Sequence, residues 1–295
     1  MAYPIIPAPY GLKPVNLIGG RVYSGSTRMF PINNGYSNSL FNGDIVDIGY
    51  TGATIGTLIQ TGLTYNSTSV PSSNTIGVFV GCEYTNTSGP IFGKNRFNYW
   101  QASTAATDCV GYVVDDPQAI FKGVIVNGGT ANTGTVSSTF TPYYANNAYI
   151  GANAFYTGPG GSTTSGDSTA GIALSASATT TSTTSAPLTT GAPLRIVGMV
   201  PDTAVTVLQT GTSSSTTITL SAANSSIVAG MAVNGPGILA GSNTWVTKVN
   251  GTAVTISSAV TTAQSTAVGF SFTGYPEVLV TWNFGFHSYF NATGV

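Results

Sequence analysis

The sequence is poor in charged side chains. Charged residues make up 6% of its 295 residues, with eight basic and nine acidic side chains, whereas a typical globular chain has about 25%. The formal net charge of -1 leaves no basic excess to neutralise phosphates, which argues against nucleic-acid binding. The same near-neutrality argues against an anionic membrane surface as a partner.

Histidine is almost absent, and with it the commonest group for acid-base catalysis. The single histidine, His287, lies in the run FGFHSYF, where alternating apolar and polar residues predict one face of a terminal strand and a structural or exposed ring. A hydrolase would also need a nucleophile and an orienting group. The sequence has no Gly-x-Ser-x-Gly elbow, no P-loop and no dinucleotide-binding glycine motif. We therefore expect no enzymatic activity, no catalytic residue and no cofactor.

Acidic residues are scattered, so the paired carboxylates of a glycosidase are not evident. The densest group, Asp115-Asp116-Pro117, could bind calcium together with carbonyl oxygens. It also fits a turn in which an aspartate bonds the backbone before a proline, and we favour this turn. Asp44 and Asp47 have opposite parity on one strand and should face opposite sides. No Cys or His cluster has zinc spacing, and we expect no metal.

Cysteine is equally scarce. Cys82 and Cys109 both lie in apolar, strand-like contexts, VFVGCEY and TDCVGYVV. These contexts favour two buried free thiols over a disulfide, although the sequence leaves their pairing open.

Long hydrophobic runs are missing too. No window approaches the roughly 20 continuous apolar residues of a spanning helix, and the proline-rich start MAYPIIPAPYGLKPV does not resemble a signal peptide. Hydrophobic residues still make up 42% of the chain and aromatic residues 11%, which is enough for a folded core. The surface must then consist largely of Ser, Thr, Asn, Gly and Ala. Because near-neutral surfaces associate, such a surface suits a protein that lives in an assembly.

Short strands between turns are the dominant pattern, and they predict an all-β chain with a main β-barrel or β-sandwich domain. Runs of β-branched and aromatic residues predict strands at 75–84, 109–116, 119–127, 194–200 and 278–290. The segment RVYSGSTRMFPI predicts a hairpin-like pair around Ser24-Gly25-Ser26. The best candidate for a helix is short, around Ala145–Phe155.

Composition divides the chain into segments. Prolines predict an extended N-terminal arm over 1–20, which could cover its own domain or reach a neighbouring subunit. The main domain is expected over 21–203 and 274–295. Within it, 158–192 is low in complexity and expected to be partly flexible, with an edge strand where apolar residues share one parity in Gly171–Ala178.

Residues 204–273 have a different sequence pattern from the rest of the chain. Short alternating runs, TTITL, TWVTKV, AVTIS and VGFSF, are separated by turns such as Asn250-Gly251, and Asn-Gly between two β runs is a strong hairpin signal. We predict an Ig-like or other small β module, inserted between two strands of the main domain and projecting from its surface.

One segment combines aromatic and basic residues. In GPIFGKNRFNYWQAS the aromatic and basic residues are Phe92, Lys94, Arg96, Phe97, Tyr99 and Trp100. Aromatic rings with cations can bind sugar faces or single-stranded bases. We favour the alternative, a loop that packs onto the core or onto a neighbouring subunit.

Several stretches resemble one family of virion structural proteins from tailed phages of aquatic bacteria such as cyanophages. They are GLKPVNLIGGRVYSGSTRMFPI (11–32), IGVFVGCEYTN (76–86), Tyr99-Trp100, GYVVDDPQAIF (111–121), LRIVGMV (194–200) and EVLVTWNFGFHSYFNATGV (277–295). In that family the last two stretches are joined by a short loop, so 204–273 would be an insertion. That segment separately resembles small β modules of phage surface proteins, through TITLS, GMAV, GPGI and TWVTKVNGTAVTIS.

The resemblance implies a capsid decoration, or cement, protein. Such a protein is an all-β homotrimer on the outer capsid surface of the virion, bound to the major capsid protein and stabilising the shell against packaged DNA, without direct nucleic-acid contact and without catalytic residues. One alternative is a tail or fibre protein that binds a host-surface glycan, with the inserted module as a possible contact. A second is the major capsid protein itself, whose fold needs a long spine helix that the sequence does not show.

Overall fold

The computed structural model describes residues 9–18, 20–63, 74–86, 93–126, 150–174, 192–200, 203, 206–238, 244–274, 277–283 and 285–290. Within these ranges the chain is built from β-strands and short 3-10 turns, which confirms the prediction of an all-β fold. No helix in the described ranges is long and apolar enough to cross a membrane. The strands form three sheets.

The first sheet closes into a barrel. Its strands are β1 (Lys13–Leu17), β8 (Ala119–Val126), β9 (Asn153–Tyr156), β10 (Ile172–Leu174), β11 (Leu194–Met199) and β18 (Glu277–Trp282). The ring runs β8-β10-β9-β11-β18 and closes because β18 pairs with β8 as well as with β11. β8 and β10 run parallel, and the other neighbours run antiparallel. Closure covers the strand edges that would otherwise invite association.

The barrel core joins both halves of the chain. Phe121 and Trp282 meet edge to face, with ring centroids 5.8 Å apart, and burying such a side chain contributes about 1.5–3 kcal/mol. Buried residues of the second sheet, including Ile45, Val78 and Val114, belong to the same cluster. The second sheet therefore packs one of its faces onto the barrel.

The second sheet has a core of its own on its other face. Its strands are β2 (Arg28–Pro31), β3 (Ile45–Ile48), β4 (Leu58–Gln60), β5 (Thr75–Asn86), β6 (Gly93–Phe97) and β7 (Val110–Val114), in the order β2-β7-β5-β3-β4 with β6 also on β5. Strand alternation sends Val78 into the barrel core and the next residue, Phe79, into the second core, where Leu58 and Trp100 are also buried.

Both thiols lie in the second core, as free cysteines. The Cys82 Sγ donates to the Tyr99 carbonyl at 3.3 Å and the Cys109 Sγ to the Ala106 carbonyl at 3.0 Å. Burial raises the pKa of Cys82 to about 12, which keeps the thiol protonated and unreactive. The prediction of two buried free thiols is confirmed.

Two local predictions are wrong because distant partners override the local pattern. RVYSGSTRMFPI does not fold back on itself: Val22 bridges to Asn16, and β2 pairs with β7. The helix expected around Ala145–Phe155 is replaced, in its described part, by β9, which pairs with β10 and β11. Residues 145–149 lie outside the described residues.

The low-complexity segment contributes a strand to the middle of the barrel. β10 lies between β8 and β9, so the expectation of an edge strand in Gly171–Ala178 is wrong. Ile172 and its neighbour Ala173 are both buried, because a strand in a closed barrel packed on other elements has little exposed surface. Residues 175–191 lie outside the described part of the chain.

Residues 9–18 of the predicted arm are extended and lie on their own domain. β1 pairs with β8, and Leu12 is buried in the barrel core. The Tyr10 hydroxyl donates to the buried Glu277 carboxylate, which Lys122 also approaches at 3.0 Å. The described part of the arm therefore covers its own domain, and residues 1–8 lie outside the described residues.

Gly11 and Gly20 are a matched pair for testing how the arm is seated. Their φ angles are +76° and +77°, so alanine carries a similar backbone cost of about 1–2 kcal/mol at each. A Cβ on Gly11 would lie 2.6 Å from the Gly43 carbonyl oxygen, whereas one on Gly20 meets nothing within 4 Å. By denaturant unfolding, we expect Gly11→Ala to cost about 1–3 kcal/mol more than Gly20→Ala. Equal losses would contradict the close packing of the arm.

The third sheet is made of strands from the segment predicted to be inserted. They are β12 (Thr206–Ser214), β13 (Thr217–Leu220), β14 (Ala232–Asn234), β15 (Val246–Asn250), β16 (Ala253–Ile256) and β17 (Gln264–Thr273), in the order β14-β17-β12-β13-β16-β15. Backbone hydrogen bonds between 230–233 and 244–246 tie the two outer strands together. A separate hydrophobic cluster, including Ile218, Val254 and Phe272, fills the inside.

The two ends of this segment lie side by side. β11 and β18 are antiparallel neighbours with Met199 opposite Val278, and the Val200 N–H donates to the Glu277 carbonyl at 3.1 Å. Without the intervening residues these two strands would form an ordinary hairpin.

We therefore expect the barrel to fold without residues 204–273. Replacing them by a short Gly/Ser loop joins strands that are already paired, and a shorter loop closes at a lower entropic cost. Thermal unfolding followed by circular dichroism should show a cooperative transition whose unfolding free energy is within about 1 kcal/mol of the full chain's. Loss of cooperative unfolding would mean that the segment is part of the main core.

Candidate functional site

The carboxylates of Asp44 and Asp47 have separate partners, as strand parity predicts. Asp44 is buried and accepts hydrogen bonds from the Tyr156 hydroxyl (2.9 Å), the Ser168 hydroxyl (2.6 Å) and the Phe41 N–H (3.1 Å). Burial raises the pKa of Asp44 to about 6, although these hydrogen bonds oppose the shift. Asp47 makes its own hydrogen bonds elsewhere. Asp44 thus links the start of β3 to the barrel strand β9.

The Asp115-Asp116-Pro117 segment is the turn between β7 and β8. The Asp116 carboxylate accepts the Gln118 N–H at 2.7 Å, which is the aspartate turn that the sequence favours. Asp115 faces the other way and bonds to an arginine and a tyrosine described below. In the described ranges no group of three or more His, Cys, Asp or Glu side chains could hold a metal ion.

The cations of the aromatic and basic segment lie on the exposed face of β6. The Lys94 Nζ is 3.1 Å from the Glu83 carboxylate. The Arg96 guanidinium lies over the Tyr112 ring, 4.3 Å from its centroid, and the Tyr112 hydroxyl donates to Glu83 at 2.9 Å. These four side chains form a closed network on the sheet surface.

The rings of the same segment face the opposite way. Phe97 stacks on Tyr84, with centroids 4.4 Å apart, and Trp100 is fully buried with its edge against Tyr84. Because successive residues of a strand alternate sides, these rings and the cations do not form one ligand site. Phe97 and Trp100 pack onto the core, as favoured from the sequence, and Phe92 lies outside the described residues.

Four of the eight basic side chains form ion pairs within the described part of the chain. Ion pairs join Lys13 to Asp167, Arg28 to Asp115, Lys94 to Glu83 and Lys122 to Glu277. Arg21 and Arg195 bond to side-chain amides, and Arg96 lies on a ring. Exposed ion pairs add only about 0–1 kcal/mol of stability. Their larger consequence is that these four cations present little net charge to a partner.

Exposed apolar side chains lie on two sides of the β7–β8 turn. They are Ile18 (46% exposed), Tyr289 (46%) and its neighbour Phe290 (39%). On one side of the turn the Ile18 N–H donates to the Gln118 carbonyl at 2.9 Å. On the other side Arg28 and Tyr289 both bind Asp115. These three apolar residues and Arg28 are called the terminal surface below.

Arg28 is the centre of the terminal surface. Its Nε is 3.1 Å from the Asp115 carboxylate, and its Nη1 donates to the Tyr289 hydroxyl at 2.6 Å. That hydroxyl donates in turn to Asp115 at 2.7 Å, and the guanidinium lies 5.6 Å from the Tyr289 ring centroid. Burial and the Asp115 carboxylate raise the pKa of Tyr289 to about 12. The three groups hold one another in place and present a ring and a guanidinium with their charge already paired.

His287 lies behind the terminal surface. β18 ends at Trp282, and Gly285, with φ +87°, turns the chain into a 3-10 turn over Ser288–Phe290. The prediction of one strand over 278–290 is therefore wrong beyond Trp282, because a left-handed glycine ends the extended backbone. The His287 ring is fully buried, and burial lowers its pKa to about 4. It is a structural residue in a turn and does not lie on a strand face.

The composition of the terminal surface is typical of the energetic centres of protein interfaces. Arginine, tyrosine and phenylalanine are enriched there. Sequence reasoning missed this site because Arg28 and Tyr289 are 261 positions apart. The one local signal was the aromatic content of FGFHSYF, which by itself does not distinguish a contact surface from a core strand.

Comparison with protein families, with curated proteins and with solved structures finds no match for this chain. The described surface joins an arginine and a tyrosine held by one carboxylate on a chain with few charged residues, and near-neutral surfaces of this kind associate readily.

Proposed function

We propose that this chain is a non-enzymatic structural protein of a tailed-phage virion, a capsid decoration protein that binds the outer shell and stabilises it against the pressure of packaged DNA. The family resemblance of the sequence supplies the class of particle. The terminal surface would supply the contact, with an arginine and a tyrosine bound to Asp115 beside exposed apolar side chains. This surface is the observation that carries the proposal.

The neutral exterior supports an assembly role. Ion pairs and hydrogen bonds already occupy most basic side chains, so docking onto the major capsid protein would desolvate few free charges, which are costly to bury. Contact would come from the terminal surface and from hydroxyl and amide groups around it. A homotrimer would repeat this contact three times, and multivalency would hold it far more tightly than a single subunit.

Labelled particles test this proposal. A gold label on the third sheet, imaged by negative-stain electron microscopy, should appear all over the shell in hundreds of copies. Labels confined to tails or baseplates would refute the decoration role.

A tail or fibre protein that binds a host-surface glycan is the second candidate, favoured by one observation. Trp245 is 47% exposed on the third sheet, where its backbone N–H donates to the Ser257 hydroxyl and the exposed Thr247 follows on the same strand. An exposed ring beside hydroxyl side chains can stack on a sugar face. Copy number separates the candidates, because a tail protein occurs in a few or a few tens of copies per particle.

The major capsid protein is the third candidate. Its fold requires a long spine helix, whereas the helical elements in the described ranges are 3-10 turns such as Gly52–Thr54. Quantitative mass spectrometry of purified particles decides this point, since a coat protein would be the most abundant chain and a decoration protein would accompany a distinct, more abundant one.

A further inference from the structure

The turn behind the terminal surface contains a cluster of buried polar atoms without partners. The Trp282 Nε1, the His287 Nε2 and the Ser288 Oγ are buried and make no hydrogen bond of acceptable geometry to any described residue. Native proteins rarely leave such atoms unpaired, and each one calls for a physical explanation. Three of them within seven residues mark residues 285–290, with the end of β18, as an unfavourably packed part of the fold.

Aromatic packing holds this turn closed. The His287 ring lies edge to face with Trp282 (centroids 5.4 Å apart), with Tyr289 (5.0 Å) and with Phe290 (6.2 Å). Its Nδ1 accepts the Tyr289 N–H at 3.3 Å. The turn that carries two residues of the terminal surface is therefore centred on one imidazole.

The charged groups that face this imidazole come from the β7–β8 turn. Asp115 and Asp116 favour the protonated ring, and the backbone carbonyls of Ile76 and Asp115 act in the same direction, but desolvation by burial outweighs them. From β2, Arg28 neutralises Asp115. β5 contributes the uncharged segment Thr75–Gly77. The pocket thus favours a neutral imidazole, because desolvation of the ring outweighs the attraction of these two carboxylates.

We propose that residues 285–290 form a strained latch that opens to let Tyr289 and Phe290 adjust to a docking partner, and that protonation of His287 releases it. Opening would hydrate the three unpaired polar atoms, so the same event that frees the surface residues relieves the strain. The inference rests on the proposed function only for the identity of the partner surface. The latch itself is a property of the free protein.

Hydrogen exchange on the free protein at neutral pH tests the strain. Ser288→Ala removes an unpaired buried hydroxyl, so we expect amide exchange in 285–290 to slow by about tenfold. The contrasting variant is Tyr289→Phe, which removes a hydroxyl bonded to Asp115 and Arg28 and should speed exchange. If Ser288→Ala leaves exchange unchanged or speeds it, the latch is not strained and the proposal fails.

Hydrogen exchange measured at several pH values tests whether protonation of His287 opens the turn. An open turn exposes His287 with its ordinary pKa near 6.5, whereas burial lowers the pKa in the closed turn to about 4. The open state therefore binds the proton more strongly between these values, and opening should become roughly 80-fold more frequent from pH 6.5 to pH 4, after correction for the intrinsic exchange rate. His287→Phe should abolish this dependence. A dependence that survives in His287→Phe would overturn the role of the imidazole.

Failure of the latch and failure of the proposed function are distinguishable. The exchange measurements use the free chain and need no particle. A latch confirmed by exchange with no label on the shell would refute the decoration role alone. A labelled shell with exchange unaffected by Ser288→Ala would refute the latch alone.

Discussion

Replacing Asp44 with alanine is expected to lower the free energy of unfolding by about 3–5 kcal/mol, because three buried donors lose their common acceptor. The carboxylate receives hydrogen bonds from Tyr156, Ser168 and Phe41, and its loss leaves these buried donors unpaired, at about 1–3 kcal/mol for each fully unsatisfied group. Denaturant unfolding with constant slope measures the loss.

Tyr156→Phe is the matched control for this prediction. It removes one hydroxyl from the same cluster and leaves the carboxylate with its other donors, so it should cost only about 1 kcal/mol. If Asp44→Ala cost no more than Tyr156→Phe, the carboxylate would not be the link between β3 and β9.

The raised pKa of Asp44 also determines how its contribution to the free energy of unfolding changes with pH. Its pKa is raised from 3.8 to about 6 in the folded protein, so between these values the folded state binds more protons than the unfolded state. The contribution of Asp44 to stability is therefore greatest below pH 4 and falls as pH rises through 6, by about 3 kcal/mol. His287, with a lowered pKa, acts oppositely, and its contribution is lost as pH falls from 6.5 towards 4. In the wild type, the pH-dependent contributions of Asp44 and His287 to stability should nearly offset each other.

Variants separate these two opposing terms. In His287→Phe the free energy of unfolding should fall from pH 4 to pH 6, because only the contribution of Asp44 remains. Asp44→Ala should leave a stability that rises from pH 4 to pH 6.5. Parallel pH profiles in both variants and the wild type would show that neither group is perturbed as its burial indicates.

Tyr289→Ala is expected to abolish stable attachment to the shell. A tyrosine at the centre of an interface contributes about 2 kcal/mol or more, and its ring here is fixed by Arg28 and Asp115. Repeated over a trimer, about 2 kcal/mol per subunit becomes about 6 kcal/mol, or roughly 10⁴-fold in affinity. The measurement is occupancy on particles stripped of the protein and incubated with each variant.

Tyr50→Ala is the control for the surface prediction. Tyr50 is 61% exposed after β3, outside the terminal surface, so its removal should leave occupancy unchanged. Equal loss of occupancy in both variants would mean that the terminal surface is not the specific contact.

Local chemistry predicted much of the strand content. The run TIGVFVGCEY forms most of β5, and the hairpin signal Asn250-Gly251 joins β15 to β16, with Gly251 at φ +59°. In both cases the information lies within a few residues, in β-branched side chains or in a glycine that accepts a left-handed backbone.

Long-range pairing could not be predicted in the same way. Closure of the barrel depends on β18 meeting β8, and the central position of β10 depends on its pairing with β8 and β9, although its own residues predicted a strand. The parity argument for His287 failed because the strand ends at Trp282. The terminal surface combines β2, the β7–β8 turn and the C-terminal turn, and no single stretch of sequence contains it.

The most direct test of the decoration role is a subnanometre reconstruction of the particle by electron cryomicroscopy. The account predicts barrel-shaped density at repeated positions over the outer shell, with Arg28 and Tyr289 facing the major capsid protein and the third sheet projecting outwards. A shell without this density, or density in which the terminal surface faces solvent, would contradict it.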